Sequence, residues 1–592
     1  MDSKLHTLHF IFNQKTCFHV PVWQRTYAWG KRQWGELWSD AVKTQQGKKV
    51  HYLGSAVVEP NGMLKFGDAL KHTVVDGQQR LTTLTALFLA VRDQFPAHSN
   101  EWKSVQYGFI LNSEVNPGSE RRLRLQEGAN QVALSTLQDG PPTGDVPACR
   151  FLDAYTYFCT RMREELTDTA AVLDLASSVS QLFKITWTEL QDGDNAHRVY
   201  QTINGNNVSL TPVDLIRNIF FLLLKHRGDD FYSAHWAPSV LSLNPEDQAR
   251  FFDAWAQTQG YNATNPHLGI GADLLDLTVE EVFEYGVKVC RSARLFSLLV
   301  NDKRLATSNL TDSAKEALTW HVRWGIKPRP GLLLFLLQLW ESSELSDAEL
   351  VAALDVQASY LARRFLCGYA TNLHRPSFDF ALKDLTLKRP RGAAVADAIA
   401  LKLSSLKEVS IWPGDAELRL EGPRATVYMT TRSKWVALTL ATLNRGMHRN
   451  PNLAPRPSSL TAKQVEHVMP QKAESWKADL ISWGVVDPSE AHHRFLHTIG
   501  NLTLTSQNQA LSNKRFSEKR VMFKDEKYAL NDFILLASEW TPEVIEQRAK
   551  NLVEIAVLAF QAPRHVAENQ KVLLVNDEEA EAEGEIDSMD LD

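Results

Sequence analysis

Apolar residues recur at steps of three and four along most of the chain, which predicts a mainly helical protein. The clearest case begins at residue 78, where one face of the predicted helix carries Leu81, Leu84, Phe88, Val91 and Phe95. Further helices are predicted for LTPVDLIRNIFFLLLKHR, RPGLLLFLLQLW and SDAELVAALDVQASYLARRFLCGYA. The first of these opens with Thr-Pro, a pair that favours a helix start.

Two regions break the helical period. HYLGSAVVEP and HTVVDG lie among helices in the first hundred residues or so and predict short strands. Beyond the Pro/Asn/Ser-rich loop at 449–459, KQVEHVMP and HTIGNLTLTS predict two more strands, and NQALSNKRFSEKRVMF predicts a helix. The expected fold class is therefore α+β and multidomain, with an α/β N-terminal domain, a helical middle and a ββα C-terminal domain.

The chain has 592 residues, too many for one hydrophobic core. The pattern places an N-terminal domain with a helical extension at 1–235, a helical connecting region at 236–415 and a C-terminal domain at 416–565. Residues 566–592 form an acidic tail that we expect to be disordered.

Charge and composition narrow the class of protein. The net charge is −6, but Asp577–Asp592 holds nine acids and no base, so the rest of the chain carries +3 and suits a nucleic-acid partner. The five cysteines form no CxxC pair, which argues against a thiolate metal site. With no apolar run of membrane-spanning length and no secretion signal, we expect a cytoplasmic protein without membrane contact.

Arg80 raises the first chemical question. If a helix starts after Gly77, Asp76 is its N-cap and Gln79 completes a capping box, which explains both residues without a ligand. A cation in the first helical turn is disfavoured by the helix dipole unless an anion binds there. Arg80 therefore faces either a bound phosphate or a nearby carboxylate.

A second cluster lies upstream, where Gln24 and Arg25 stand among several aromatic residues. Trp34, Leu37 and Trp38 are best explained as the core face of an amphipathic helix. The chain has no GxxxxGK[ST] motif, so any nucleotide is held without a P-loop.

Near the C-terminus, VEHVMPQ and GNLTLTSQNQALSNKRF stand about 35 residues apart. A phosphodiester hydrolase needs an activated water and a cation at the phosphate. An imidazole such as His467 takes up a proton near neutral pH, and carboxylate or amide oxygens suit Mg²⁺ or Mn²⁺. Each residue alone has a structural explanation as a surface, turn or cap residue, but the joint pattern favours a ββα-metal nuclease finger.

Other polar residues nearby have simpler explanations. His492, His493 and His497 lack cysteine partners and include two adjacent residues, so scaffold or surface roles are expected instead of a zinc site. The bases of the last predicted helix either contact DNA phosphates or form a solvated face; they are Lys514, Arg515, Lys519 and Arg520.

At both ends the chain resembles the GmrSD family of type IV, modification-dependent restriction enzymes. VPVWQRTYAW, YLGSAVV and VVDGQQRLTTL resemble the family's N-terminal domain, which is related to ParB and sulfiredoxin. YQTINGNNVSLTPVDLIRN is similar to that domain's closing motif, through Asn204, Asp214, Arg217 and Asn218. The C-terminal motifs resemble the family's HNH nuclease domain, and YLARRFLCGYATN its connecting segment.

The resemblance implies a role for each matching residue. The expected nucleotide-binding residues are Asp76, Gly77, Gln78, Gln79 and Arg80, with Gln24 and Arg25 less firmly placed. His467 would be the general base, Asn501 the asparagine that orients it, and Glu466 a metal ligand. Asn508 or Asn513 would be the second ligand.

The implied function is nucleotide-regulated cleavage or nicking of modified phage DNA. The implied cofactors are Mg²⁺ or Mn²⁺ and an NTP, which can be GTP, ATP or CTP. The resemblance leaves open whether the protein forms a homodimer. Two alternatives remain at the level of sequence: a ParB-like, nucleotide-gated DNA-binding switch with a structural finger, or a toxin-like nuclease that acts on RNA or unmodified DNA.

Overall fold

The structure is a computed structural model that describes residues 2–190, 211–448 and 464–566, apart from gaps at 22–23, 25, 61–65, 127, 142–143, 263, 328, 371–373, 473, 527 and 564–565. Arg25, Asn204, the loop at 449–459 and the acidic tail lie outside the described residues. The chain divides into two compact units, the first comprising Met1–Pro238 with Ile270–Val287 and the second Ser239–Gly269 with Lys288–Asp592.

The first unit is built on a mixed sheet of six strands among its described residues. The strands are β1 Asp2–Thr7, β2 Thr16–His19, β3 His51–Pro60, β4 Leu70–Asp76, β5 Leu123–Arg124 and β6 Phe183–Glu189. Their order is β1-β6-β3-β4-β2-β5. β2 runs parallel to β4 and β5, and β3 runs parallel to β6, whereas the β1–β6 and β3–β4 pairs are antiparallel. Parallel β2 and β4 therefore end at the same edge, where the VPVWQR and DGQQR segments begin.

Helices cover this sheet. They are α1 Leu8–Asn13, α2 Lys31–Gly47, α3 Gln78–Arg92, α4 Asn100–Val105, α5 Ala129–Asp139, α6 Arg150–Glu165, α7 Thr169–Leu182 and α8 Pro212–Leu224. The predicted helix after Gly77 is confirmed as α3, but its burial is not confined to one face. Thr83 and Thr85 are also buried, and their hydroxyls donate to the carbonyls of Gln79 and Leu81 one turn earlier. Hydrogen bonding to the helix backbone lets polar residues enter the core.

The rest of the chain up to residue 447 is helical, as its periodicity predicts. Its helices are α9 Gly228–Phe231, α10 Ala237–Ser239, α11 Pro245–Gln259, α12 Pro266–Leu274, α13 Val279–Val300, α14 Asp302–Ala306, α15 Asp312–Trp324, α16 Pro330–Glu341, α17 Asp347–Leu366, α18 His374–Lys388, α19 Ala394–Ser404, α20 Asp415–Glu421 and α21 Ser433–Met447. Near the end of α17, Arg363 and Arg364 are fully buried. Their guanidinium groups donate to the carbonyls of Pro413 (3.2 Å) and Ile411 (2.6 Å). The YLARRF stretch of α17 is thereby hydrogen-bonded to the chain at 411–413.

A short antiparallel ribbon follows, made of β7 Val465–His467 and β8 Leu502–Leu504. The helices around it are α22 Glu474–Ser482, α23 Pro488–Phe495, α24 Asn508–Leu511, α25 Phe516–Phe523, α26 Asp532–Leu536 and α27 Pro542–Ala559. The two predicted strands are confirmed, though each has only three residues.

The single helix predicted for NQALSNKRFSEKRVMF is wrong. The segment forms α24 and α25, separated by Ser512, whose φ of +35° lies outside the helical region. α25 then has its own start, because the Glu518 carboxylate accepts a hydrogen bond from the Arg515 N–H (3.0 Å) in a capping box.

Among the described residues, no helix combines the length and the apolar character that crossing a membrane requires.

The β4–α3 junction depends on a glycine, and a matched pair of variants tests this. Gly77 has φ +90°, and a Cβ added there would lie 2.8 Å from Cβ of Ala56 on β3. We expect Gly77→Ala to lower the free energy of unfolding of the first unit by roughly 2–4 kcal/mol, from the positive φ and the overlap together. The measurement is urea unfolding of the full chain, followed by tryptophan fluorescence.

Gly118→Ala is the control. Gly118 has nearly the same φ, +92°, but nothing lies within 4 Å of the added Cβ. We expect Gly118→Ala to lower the free energy of unfolding by only about 1–2 kcal/mol, the cost of a positive φ for a residue with a Cβ. Equal losses in the two variants would show that the close approach to Ala56 is absent in solution.

Candidate functional site

The β7–β8 ribbon separates the two residues of the EH pair. Successive residues of a strand point to opposite faces, so the side chains of Glu466 and His467 leave β7 in opposite directions. Both residues are nearly buried, with 5% and 6% of their surface exposed. The structure therefore does not bring the Glu466 carboxylate to the His467 imidazole.

His467 lies in a small cluster of rings. Its Nε2 is 3.2 Å from Nδ1 of His497, and its Nδ1 is 3.4 Å from the amide nitrogen of Gln471. The Tyr428 ring meets His467 edge to face and stacks on His497. Because the Gln471 amide nitrogen only donates, Nδ1 of His467 accepts in this arrangement, and the ring proton sits on Nε2 facing His497.

Burial, and to a smaller extent the neighbouring His497, Lys519 and His492, together lower the pKa of His467 to about 3. The imidazole is therefore neutral near pH 7 and has a lone pair for a proton. His492 is held nearby by a 2.8 Å contact between its Nε2 and the Pro470 carbonyl. The ring is therefore unprotonated and oriented, as a general base must be, but so low a pKa also makes it a weak proton acceptor while it is buried.

Asn501 fixes the backbone that follows His467. Its Oδ1 accepts from the Met469 N–H (2.7 Å) and from Nε1 of Trp540 (3.0 Å). Its Nδ2 donates to the carbonyls of Met469 and Leu496, both at 2.9 Å. Asn501 is completely buried, so its amide positions the chain two residues beyond the imidazole and makes no direct bond to the ring.

Arg548, on α27, holds the neighbouring end of β8. Its guanidinium donates to the carbonyls of Gly500 (2.6 Å), Leu502 (2.8 Å) and Leu530 (3.1 Å). The side chain is 1% exposed. Gly500 itself lies tightly against α27, because an added Cβ would be 2.2 Å from the Ile545 carbonyl oxygen.

On the other face of the ribbon, Glu466 pairs with Lys519 from α25. The ammonium lies 2.5 Å from the Glu466 carboxylate and donates to the His467 carbonyl at 2.8 Å. Burial raises the pKa of Glu466 and lowers that of Lys519, while each charge opposes the shift of the other. The sequence expectation for Lys519, a phosphate contact or a solvated surface lysine, is therefore wrong.

The other basic residues of this segment have partners of their own. Arg520 donates to the Ala537 carbonyl (2.7 Å), and Lys514 and Arg515 lie 3.8 Å from the carboxylates of Glu518 and Asp479. Lys514 and Arg515 are exposed just before α25, so the prediction of a phosphate contact stays open for these two residues.

The predicted asparagine ligands lie beyond β8. Asn508 begins α24, and its Nδ2 donates to the Val465 carbonyl of β7 (2.8 Å). Asn513 is exposed in the turn before α25. Roles for both as metal ligands stay predictions.

The residues present fit a divalent cation only in part. In this arrangement the carboxylate predicted for the metal, Glu466, is occupied by Lys519 on the face opposite His467. Within the part of the chain that the structure describes, no three His, Cys, Asp or Glu side chains are grouped closely enough to hold a metal. The amide oxygens of Asn508 and Asn513 are neutral donors of the kind that Mg²⁺ and Mn²⁺ accept.

At the N-terminal site, three buried glutamines join the loop after β2 to the start of α3. Nε2 of Gln24 donates to the Val75 carbonyl (2.9 Å), and Nε2 of Gln78 donates to Oε1 of Gln24 (3.1 Å). Oε1 of Gln79 accepts from the Ala28 N–H (2.8 Å). The two sequence motifs are thus brought together, with the amides as the links between them; a nucleotide-binding role for these amides stays a prediction.

The capping box expected from Asp76 and Gln79 is wrong. Asp76 is the last residue of β4, and the N-cap of α3 is Gly77, which has no side chain to accept a hydrogen bond. The left-handed φ of Gly77 turns the chain from strand to helix within one residue, and this displaces Asp76 from the capping position.

Arg80 contacts backbone and, among the described residues, forms no ion pair with a carboxylate. Its Nη1 donates to the Ser55 carbonyl (2.7 Å) on β3. The guanidinium fills space left by Gly54, where a Cβ would lie 3.0 Å from Nη2. Among the residues that the structure describes, the ion pair that would have explained this cation without a ligand is not formed.

The described part of the closing motif, from Thr211 onwards, lies at the start of α8. Thr211 and Asp214 form a reciprocal capping box, and Arg217 lies 2.6 Å from the Asp214 carboxylate. Asn218 is buried on the same helix. Helix capping is enough to explain Asp214 and its arginine partner.

A cavity of about 410 Å³ opens in the first unit beside the ends of β2 and β4. It is lined by His19, Thr73 and Val75 from the sheet and by Lys225 and Asp229 after α8. Its size falls in the range of small-ligand sites. Gln24 of the glutamine network donates to the carbonyl of Val75, one of the residues that line this cavity.

The buried pair on the ribbon gives a stability test. We expect Lys519→Met to lower the free energy of unfolding by about 3–5 kcal/mol, because it leaves the Glu466 carboxylate buried without a counter-ion. Chemical denaturation of the full chain measures this. Lys514→Met, at an exposed lysine just before α25, should stay within about 0.5 kcal/mol of wild type.

A Glu466→Leu/Lys519→Met double variant should recover most of the loss, because no buried charge is then left unpaired. A Lys519→Met protein as stable as wild type would mean that the pair does not form in solution.

Two family models match the chain. One, the N-terminal domain of GmrSD restriction endonuclease, matches residues 8–221, and the other, the C-terminal domain of GmrSD restriction endonucleases, matches residues 412–555. No curated protein matches the chain significantly. The two models cover more than half of the 592 residues in the order expected from the motifs, and a restriction endonuclease acts on DNA. The chain belongs to the GmrSD family of restriction endonucleases.

Proposed function

We propose that the protein is a type IV restriction enzyme that cleaves or nicks modified phage DNA, and that nucleotide binding and hydrolysis in the first unit regulate this activity. The observation that carries the proposal is His467, a neutral imidazole whose Nδ1 accepts from the Gln471 amide and whose backbone is fixed by Asn501. It lies within the segment that matches the family's C-terminal domain.

His467 has the properties of a general base for phosphodiester hydrolysis. Its depressed pKa keeps the ring unprotonated at neutral pH. The Nδ1 lone pair, which accepts from the Gln471 amide in this structure, would take the proton from an attacking water that displaces that amide, while the Nε2–H stays hydrogen-bonded to His497. Tyr428 and Asn501 keep the ring and its backbone in place during the reaction.

The ribbon with α25 supports an HNH-type ββα finger. Such a nuclease uses Mg²⁺ or Mn²⁺ to stabilise charge at the phosphate. Asn508 and Asn513 would hold the ion through their amide oxygens, whereas Glu466 is bound by Lys519 and would not.

For the first unit we propose a ParB- or sulfiredoxin-like nucleotide site around the DGQQR segment. Arg80 supports it because the guanidinium carries a charge that no carboxylate of the described residues balances. The cavity of about 410 Å³ beside Val75, the residue before Asp76, has the volume for a nucleotide, and Lys225 contributes a cation to its lining. GTP, ATP and CTP are all candidates.

Cleavage tests the nuclease half of the proposal. We expect His467→Ala to lower the cleavage rate of modified phage DNA by about 10²–10⁴-fold, the usual worth of a general base, while nucleotide hydrolysis continues. The assay compares modified phage DNA with unmodified plasmid in Mg²⁺ or Mn²⁺, with and without each NTP. His493→Ala, at an exposed histidine on α23, is the matched control and should cleave like wild type.

The outcomes separate the alternatives. Full activity in His467→Ala would remove His467 from the mechanism. Equal cleavage of unmodified DNA or of RNA would indicate a toxin-like nuclease. Nucleotide hydrolysis without any cleavage would indicate a DNA-binding switch.

Nucleotide turnover tests the other half. We expect Arg80→Ala to reduce NTP hydrolysis at least tenfold, because the γ-phosphate loses its cation. Arg32→Ala removes an exposed arginine of α2 and should leave turnover unchanged. Unaltered turnover in Arg80→Ala, measured as phosphate release, would return Arg80 to a purely structural role on β3.

A further inference from the structure

The helices α18 and α19 of the second unit present an exposed face that is both apolar and basic. Phe380 and Leu387 of α18 are 44% and 82% exposed, and Leu401 of α19 is exposed as well. Phe380, Lys383 and Leu387 follow one another at steps of three and four, so they share one side of α18. Large apolar residues that stand together on a surface, unlike scattered ones, mark a contact site.

Bases outnumber acids in this part of the chain. Residues 375–407 include seven Lys or Arg and three Asp or Glu, a net charge of +4. Asp384 pairs with two of the bases, because its carboxylate lies 3.0 Å from Lys388 and 3.4 Å from Lys402. Three further exposed cations form no ion pair among the described residues; they are Lys383, Arg389 and Lys407.

Lys402 joins the two helices within this face. Its ammonium lies 3.8 Å from the centre of the Phe380 ring, a distance at which a cation and an aromatic ring attract each other. α19 also packs on α18 and on α17. The apolar and the basic residues are therefore parts of one surface.

The described chain ends close to these helices. The Phe560 carbonyl accepts a hydrogen bond from the Ser359 hydroxyl of α17 (3.0 Å). Val566, the last residue that the structure describes, is buried. α17 packs on α19, and its Tyr360 hydroxyl donates to the Ser377 hydroxyl of α18 (3.3 Å). The chain thus passes, six residues before Val566, along the helix that supports the basic face.

The 26 residues beyond Val566 carry the complementary chemistry. Asp577–Asp592 has nine acids and no base, and its last seven residues include three large apolar side chains, Ile586, Met589 and Leu591. A segment that only adds solubility has no need of such residues. An extended chain of 26 residues spans up to roughly 85 Å, whereas α18 is roughly 22 Å long, so the segment is long enough to reach the face.

We propose that the acidic tail, Asp577–Asp592, binds the face of α18 and α19 in its own chain. Its carboxylates pair with Lys383 and Arg389. The apolar residues near its end cover Phe380 and Leu387. An apolar centre with charges around it is the usual composition of a protein contact site.

DNA is the other polyanion that a basic face attracts, but phosphates leave exposed Phe and Leu side chains uncovered. The tail supplies both the negative charge and the apolar cover. This contact requires no nucleotide, metal or DNA, so it goes beyond the proposed function and is independent of it.

Photo-cross-linking in the full chain tests the contact. Met589→p-benzoyl-phenylalanine keeps an apolar side chain at this position and reacts with whatever lies beside it. Mass spectrometry then locates the cross-links. We expect them within 374–404, in protein that migrates as a single chain.

Two double variants of this protein remove the two parts of the contact. Lys383→Glu/Arg389→Glu should lower the cross-link yield about fivefold, the effect expected of losing two exposed ion pairs. Ile586→Ser/Leu591→Ser keeps all nine acids and should lower the yield by a similar factor, because the apolar cover is lost. This second variant changes no residue of the described structure, so a lower yield in it is not a folding defect.

Lys303→Glu/Lys434→Glu is the control, since it makes the same change of charge at two exposed lysines elsewhere in the second unit. It should cross-link like wild type, and an equal loss in it would overturn the assignment of this face. Unchanged yields in either of the other double variants would also overturn it, as would cross-links outside 374–404 or between two chains. A face that serves DNA instead would lose DNA affinity in Lys383→Glu/Arg389→Glu while the tail cross-links stayed unchanged.

Discussion

The buried contact of Lys519 with Glu466 and the His467 carbonyl is the interaction on which the C-terminal site depends. A single ammonium binds a carboxylate on one side of β7 and a backbone oxygen of the next residue, so α25 is fixed to the ribbon at the position of the imidazole. Two charges taken out of water repay their desolvation only when the geometry is well satisfied. Each strand of the ribbon has only three residues and therefore few backbone hydrogen bonds. The Lys519 contact fixes the position of β7 more firmly than those hydrogen bonds alone would.

The first unit solves a similar problem with neutral groups. Its two motif segments are separated by about fifty residues and meet through the amides of Gln24, Gln78 and Gln79. Amides both donate and accept, so a buried network of them satisfies itself without a counter-ion. Arg80 is the cation of this motif, and within the described part of the chain its guanidinium donates to a backbone carbonyl, that of Ser55. The Arg80 guanidinium has no carboxylate partner among the described residues, and an anionic ligand would supply the missing counter-ion.

The sequence predicted much of this because period and motif are local properties. β3 has the bounds of HYLGSAVVEP, and His467 and Asn501 were identified from EHxxPQ and GN. The contacts that went unpredicted are long-range or conformational. Lys519 has the spacing of a surface lysine, and only the position of Glu466, 53 residues earlier, makes it a core residue. His497 was assigned a scaffold role and Tyr428 has no motif, because ring stacking leaves no periodic trace. Asp76 looked like a cap because the φ of Gly77 is not visible in the sequence.

Arg548 has a consequence for the conditions under which the enzyme works. It holds the ribbon through carbonyl dipoles inside the protein, where dissolved ions do not penetrate. DNA binding, in contrast, weakens steeply with salt because it releases counter-ions from the phosphates. Ionic strength therefore adjusts how long the protein stays on DNA without loosening the strands of the ribbon. DNA binding and the structure of the ribbon respond to different variables, so salt that weakens binding leaves the contacts of Arg548 in place.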